Sequence, residues 1–312
     1  MGTSGADGVN VLVTGITGYV GSLMVPRLER EGHRVRGFAR EPDRVIADVP
    51  VIAGDAISGD GLERALDGID VAYFLIHSME PGAGDPFASR ERMAAERFAA
   101  AAGAAGVRRI VYLGGLVPHG GPRSSHLASR MAVEEILRHA VPDSVALRAS
   151  MVIGARSRPF RFLVRLVERL PVMAVPAWRT HRTAPVDERD VVELLTAAAG
   201  NDQVRGATLD VGGPDVVSYG ELIDRIADLM LVRRPALRFR RLTVTPIASR
   251  VAAVIAGERY ELIGPLMESL NSDLVPADDR AMQLLGVRPH RLNAAIEHAL
   301  ADWERDEPLA AR

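Results

Sequence analysis

The chain has 312 residues, 47% of them hydrophobic and 25% charged, with a net charge of −2. That length predicts one large domain with a smaller appended lobe, and the balanced charge gives no electrostatic basis for nucleic-acid binding. There is no cysteine, and all 38 basic residues are arginine, which excludes disulfides, thiolate catalysis and any mechanism needing a lysine amine.

Residues 1–8 carry no basic region followed by an apolar run and read as a short flexible lead. From Val9 to Ser150, short β-branched runs alternate with helical patterns, the signature of βαβ units. The predicted strands are VNVLVTG, HRVRGFAR, VPVIAGD, DVAYFLIH, RRIVYLGG and DSVALRAS, apolar enough to be buried on both faces. Between the first and second lies a helical segment in which Pro26 removes a backbone donor and predicts a bend. Between the fourth and fifth, Asp85 and Pro86 open a predicted helix with Phe87, Ala94, Phe98, Ala101 and Ala105 on one face.

The most informative motif is VTGITGYVG, in which Gly15, Gly18 and Gly21 follow an apolar strand and open a helix. Strand, glycine loop, helix and a second strand about 20 residues on form the context that a dinucleotide fingerprint requires. Gly15 permits the tight turn, Gly18 lets backbone N–H groups approach a pyrophosphate, and Gly21 allows close helix packing. The second strand ends in GFAR, with Arg40 where an acid would bind a ribose 2′-hydroxyl, so NADP is expected over NAD. Glu41 leaves a second reading open, in which Arg40 only pairs with its neighbour.

Past Ser150, the segment SRPFRFLVRLVERLPVMAVPAWRTHR places Arg158, Arg161, Arg165, Arg169, Arg179 and Arg182 beside an apolar face. It reads as an amphipathic helix packed on the lobe with a solvated basic face, or as a receiver for an anionic or long apolar substrate or a membrane surface. Farther on, Ser218 and Glu221 form a predicted capping box. The run LTVTPIASRVAAVIAG is broken by Pro246 and Arg250, so no transmembrane segment is expected and a cytoplasmic location is. His119, His139, His181, His290 and His298 show no ligand spacing, and no metal site is expected.

With VTGITGYVG, Gly54 and Asp55, VAYFLIH and VYLGG in this order, the sequence resembles the short-chain dehydrogenase/reductase superfamily, more narrowly its atypical extended members with NmrA-like features. The later segments LRASMVIG, VDERDV and LDVGGPDVVSYGELI extend the likeness over most of the chain. The resemblance implies a Rossmann-type doubly wound parallel sheet over residues 9–150 and a smaller α/β substrate lobe over 151–312, with the chain able to cross back to the sheet. It further implies that Gly15, Thr17, Gly18, Tyr19, Val20 and Gly21 hold the pyrophosphate and that Arg40 meets the adenosine ribose. Asp55 and Ala56 would border the adenine, and Leu75, Ile76 and His77 the ribose beside the nicotinamide. Asp55 also reads as a turn residue and His77 as a satisfied polar group at a strand end.

The family's usual tyrosine, lysine four residues later, and serine or threonine after the fifth strand are all missing. The strand ends in Gly114 and Gly115, and His126 and Arg130 occupy the dyad positions. An imidazolium donates a proton well near neutral pH, and a guanidinium binds ribose hydroxyls or an oxyanion. The competing reading has Arg130 clamping ribose alone while His126 caps a helix or faces solvent. Ser124, Ser125 and Ser129 read as caps or solvated positions. Two functions follow: an NADP-dependent oxidoreductase acting on a carbonyl, enone or related small molecule, or a catalytically silent nucleotide sensor, regulator or assembly protein.

Overall fold

The computed structural model describes residues 8–76, 87–118, 120–121, 125–169, 177–232, 270–307 and 309. Seven parallel strands form the central sheet: β1 (Asn10–Thr14), β2 (Arg34–Ala39), β3 (Val51–Ala53), β4 (Val71–Phe74), β5 (Arg109–Gly115), β6 (Val145–Ala149) and β10 (Thr208–Val211). Their order across the sheet is β10-β6-β5-β4-β1-β2-β3, so the chain moves outward from β1 in both directions.

Each strand divides its side chains between two cores, which is why the runs are apolar without alternation. Val11, Val13, Val71, Tyr73, Val111 and Leu113 join one buried cluster, while Leu12, Ala72, Phe74, Ile110 and Tyr112 join the other. The first is covered by α1 (Tyr19–Arg30), α6 (Glu188–Gly200) and α8 (Arg280–Leu285), and the second by α2 (Leu62–Leu66), α3 (Phe87–Ala104) and α4 (Ser125–Ala140). A fully buried side chain such as Phe98 contributes about 1.5–3 kcal/mol over an exposed one. Helix α1 runs through Pro26, which lies on its exposed side.

The chain rejoins the sheet after leaving it. Strand β10 pairs with β6, Leu209 beside Leu147, and α6 packs on α1. Arg109, fully buried on β5, donates from Nη1 to the carbonyls of Ala198, Ala199 and Asn201 at 2.7, 3.1 and 3.0 Å, satisfying the end of α6.

The lobe has its own core, built from α5 (Arg158–Arg169), α7 (Tyr219–Leu229), α9 (Leu292–Asp306) and Trp178. Two small sheets frame it: β7 (Val152–Ile153) with β9 (Val186–Asp187), and β8 (Arg182–Thr183) with β11 (Val217–Ser218). Ser218 and Glu221 form the capping box of α7 as expected. Helix α5 departs from its sequence reading. Arg161 and Arg165 turn inward, with guanidinium carbons 4.2 and 4.9 Å from the Trp303 ring centroid. Arg165 is buried and paired with Glu168 and Glu307. Of the basic face, Arg158 and Arg169 are exposed, while Arg179 and Arg182 pair with Asp224 and Asp273 at 2.9 and 3.2 Å.

Candidate functional site

Strand β1 ends at Thr14, whose Oγ1 donates to Tyr73 O at 2.8 Å and accepts from Leu75 N at 3.2 Å. This fastens the carboxyl ends of β1 and β4, the neighbours between which the winding of the sheet reverses. Ligands of open α/β sheets bind in the crevice at such a point. Gly15 takes φ +66°, and a Cβ there would lie 2.6 Å from Leu75 O. Gly18 N donates to Gly15 O at 2.8 Å, and a Cβ on Gly21 would fall 2.3 Å from the same oxygen. Each glycine therefore removes a specific clash with backbone.

Helix α1 begins at Tyr19 with Gly18 as its cap, without a side-chain cap hydrogen bond and without an acid in its first turn. Its first N–H groups have no intrahelical acceptors and lie at the positive end of the helix dipole. Thr17 and Gly18 are exposed, and Tyr19 and Val20 half-buried, so the lip of the loop is open. The cradle fits a pyrophosphate.

Arg40 is exposed immediately beyond β2. Glu41 pairs with Arg44 at 3.5 Å. After β3, Asp55 closes a turn: its Oδ1 accepts from Ile57 N at 2.8 Å, and its N–H donates to Asp60 O at 3.0 Å. Ala56 is buried against the sheet, as is Leu75, while Ile76 is half-buried. His77 lies outside the described residues, as do Asp85, Pro86, His119, Ser124, Pro246 and Arg250.

The fold places the His126 and Arg130 pair on the first turns of α4, one turn apart. Arg130 is buried: its Nη2 donates to Leu113 O at 3.0 Å, its Nη1 lies 3.7 Å from Glu91 Oε1, and its guanidinium sits 5.6 Å from the Tyr112 ring centroid. Ser129 is neither a cap nor solvated, because its buried hydroxyl donates to Glu91 Oε2 at 2.7 Å. Burial pushes the Glu91 carboxyl above the usual range, and Arg130 and Ser129 only partly offset this. Glu91 is the member of this group that spacing did not suggest. Its signal was a carboxylate on the same helix face as Ala94, Ala95 and Phe98.

Burial, with Arg130 alongside, pushes the His126 imidazole down to about 4. At neutral pH the ring is uncharged, which replaces the expected imidazolium. A base with a depressed native pKa adds stability that is full above its unfolded value of about 6.5 and is lost as pH falls through about 4. Thermal melts of wild type and His126→Gln from pH 8 to 4 should therefore converge as pH falls below 6.5. Parallel curves would refute the burial of the ring.

A second unanticipated contact joins the loop to the lobe. The Tyr19 hydroxyl donates to Glu188 Oε2, next to Asp187, whose carboxylate caps α6 by accepting from Arg189 N. Both Tyr19 and Glu188 are raised in pKa, chiefly by burial. Gly154 makes room for the pair, since a Cβ there would lie 1.9 Å from the hydroxyl and 2.1 Å from Oε2.

Comparison with known proteins agrees with this geometry. A family described as NAD(P)H-binding matches residues 15–152. The (4-alkanoyl-5-oxo-2,5-dihydrofuran-3-yl)methyl phosphate reductase of Streptomyces griseus is 34% identical over 248 residues, spanning 75% of this chain and 77% of that protein. The mitochondrial NADH dehydrogenase [ubiquinone] 1 alpha subcomplex subunit 9 of Arabidopsis thaliana is 25% identical over 332 residues, spanning 98% and 81%. Among solved structures, the UDP-glucose 4-epimerase of Thermotoga maritima with UDP-glucose superposes with a TM-score of 0.71 at 14% identity, covering 95% of this chain and 99% of that one, a likeness of fold. Among the described residues, no helix is long and apolar enough to cross a membrane. With its glycine loop at the switch point of a seven-stranded parallel sheet and a reductase relative at this identity, the chain belongs to the short-chain dehydrogenase/reductase superfamily of NAD(P)-binding proteins.

Proposed function

We propose that the protein is an atypical, NmrA-like oxidoreductase that uses NADP(H) to reduce a carbonyl, enone or related group of a small molecule. The observation that carries this reading is the open glycine cradle, with the exposed Arg40 immediately beyond β2. The backbone of Gly15, Thr17, Gly18, Tyr19, Val20 and Gly21 holds the pyrophosphate, and Arg40 takes the 2′-phosphate. Asp55 and Ala56 border the adenine, and Leu75, Ile76 and His77 the second ribose. When bound, the cofactor supplies a hydride.

The other groups act by position. Gly114 and Gly115 leave no hydroxyl at the end of β5. His126, uncharged, donates a hydrogen bond to the developing oxyanion, and water makes up the proton. Arg130 ties the end of β5 to α3 through Leu113 O and Glu91. A reading without chemistry, as an NAD(P)(H) sensor or assembly protein, is favoured by the burial of Arg130 and by the Arabidopsis relative named as a subunit of a larger enzyme.

Cofactor titrations separate the assignments. Arg40→Ala should weaken NADPH at least tenfold while changing NADH less than threefold, and equal weakening would remove the 2′-phosphate assignment. A screen of carbonyl and enone compounds monitored by NADPH oxidation, run beside His126→Ala, should give turnover that falls in the variant. NADPH binding without turnover on any compound would transfer the conclusion to the sensor.

A further inference from the structure

His298 and Asp302 lie one turn apart on α9, so their side chains leave the same helix face. That face meets the start of α6, where Glu188 projects. His298 Nε2 stands 3.8 Å from Glu188 Oε1 and 3.5 Å from Asp302 Oδ2. One ligand-type atom from each of the three lies within 4.8 Å of the others.

These separations are informative. A charge-assisted N–H···O bond measures about 2.7–2.9 Å, so the imidazole shares a close proton with neither carboxylate. Ligands about 2.0–2.2 Å from a tetrahedral cation are about 3.3–3.6 Å apart, close to the two separations from His298 Nε2.

The surrounding charges fit the same reading. Asp187 is taken by Arg189, and Asp302 Oδ1 lies 2.7 Å from Arg305 Nη1. Arg156, the cation facing Tyr19, reaches Ser22 Oγ at 3.1 Å. Glu188 has a side chain only 9% exposed, and among the described residues no arginine lies within ion-pair distance of it. The Tyr19 hydroxyl orients the carboxylate through Oε2, in space that Gly154 leaves open, with Oε1 toward His298 on α9. A hydrogen-bonded partner that orients a ligand in this way is common at metal sites.

We propose that Glu188 Oε1, His298 Nε2 and Asp302 Oδ2 bind one divalent transition-metal ion, zinc by preference, with water as the fourth ligand. One imidazole and two carboxylates suit zinc, whereas calcium and magnesium favour all-oxygen sets of higher coordination number. Such an ion ties α9 of the lobe, through Glu188 and Tyr19, to the first residue of the nucleotide helix. The site is independent of the hydride chemistry proposed above, and its test needs neither cofactor nor turnover.

The test is calorimetric titration of the untagged, chelator-stripped full chain with zinc chloride, beside His298→Ala, Asp302→Asn and the surface control His139→Ala. One equivalent should bind wild type and the control equally, and at least tenfold more weakly in each of the first two variants. Cobalt(II) loaded in place of zinc should give the intense visible bands of a tetrahedral site in wild type and lose them in His298→Ala. Zinc should raise the melting temperatures of wild type and of the His139→Ala control, and not those of His298→Ala and Asp302→Asn. Failure of wild type to bind a stoichiometric ion, or retention of that ion by His298→Ala and Asp302→Asn, would overturn the proposal. Both variants alter partly exposed side chains on α9, and a native melting transition without zinc establishes that they fold.

Discussion

Alanine at Gly15 is expected to lower NAD(P)H affinity at least a hundredfold and the melting temperature by roughly 5 °C. A side chain in the left-handed region costs about 1–2 kcal/mol in any setting. Here the Cβ would also fall 2.6 Å from Leu75 O, and Leu75 is held in place by its N–H bond to Thr14 Oγ1. Relief therefore requires Gly15 to move, taking with it the carbonyl that accepts from Gly18 N and the N-terminus of α1. Gly32→Ala is the control, because its φ is +86° with nothing within 4 Å of a Cβ, and it lies at the other end of α1. It should lower stability by about 1 kcal/mol and leave cofactor affinity unchanged. Fluorescence titration and calorimetry read both effects. Normal binding by Gly15→Ala would show that the loop does not grip the phosphates.

Removing Glu91 should harm the protein more than removing Arg130. Glu91→Ala leaves a guanidinium in a buried setting without its carboxylate, which costs about 3 kcal/mol. Arg130→Met leaves a carboxyl already raised in pKa by burial, which can take up a proton and keep its bond from Ser129. Its loss should be smaller and should grow with rising pH, as neutral Glu91 is forced to ionise. The double variant Glu91→Leu with Arg130→Met should recover at least 1 kcal/mol relative to Glu91→Ala. Denaturant titrations at pH 5.5 and 8 measure these differences. If Arg130 also touches the reacting groups, the double variant regains stability and still loses turnover. Equal losses in the two single variants would contradict the asymmetry of the pair.

The contrast between the glycine loop and α4 explains how far the sequence could be read. Gly15, Gly18 and Gly21 act through backbone geometry fixed within seven residues, so their order in the chain carries the information. The strands were equally plain, because two-sided burial leaves a composition that no surface segment shows. Arg130 is different: its direction depends on Glu91, 39 positions earlier, and no local pattern reports where a buried carboxylate on another helix will end up. The state of His126 depends on desolvation, which is a property of the packed fold. On α5 the periodicity located the helix but not the inward turn of Arg161 and Arg165, since the Trp303 ring that receives them arrives about 140 residues later. Ligand spacing among histidines alone likewise passed over His298, because its partners are carboxylates, one of them on a different helix.

The return of the chain to the sheet bears on how the protein is made. Strand β6 lacks its outer neighbour until β10 is synthesised about sixty residues later. At about 5–20 residues per second, this interval lasts roughly 3–12 s. Over the same stretch Met24, Val25 and Leu28 of α1 still await Val191 and Leu194 of α6. A nascent chain halted near residue 150 thus presents both an unpaired parallel edge and, elsewhere on the sheet, an uncovered apolar helix face, a combination that invites pairing with other chains. The amino-terminal half contains the nucleotide loop, but the apolar face of the helix that opens from it is covered by α6 and the edge of its sheet by β10, so both are completed only when residues 188–211 have emerged.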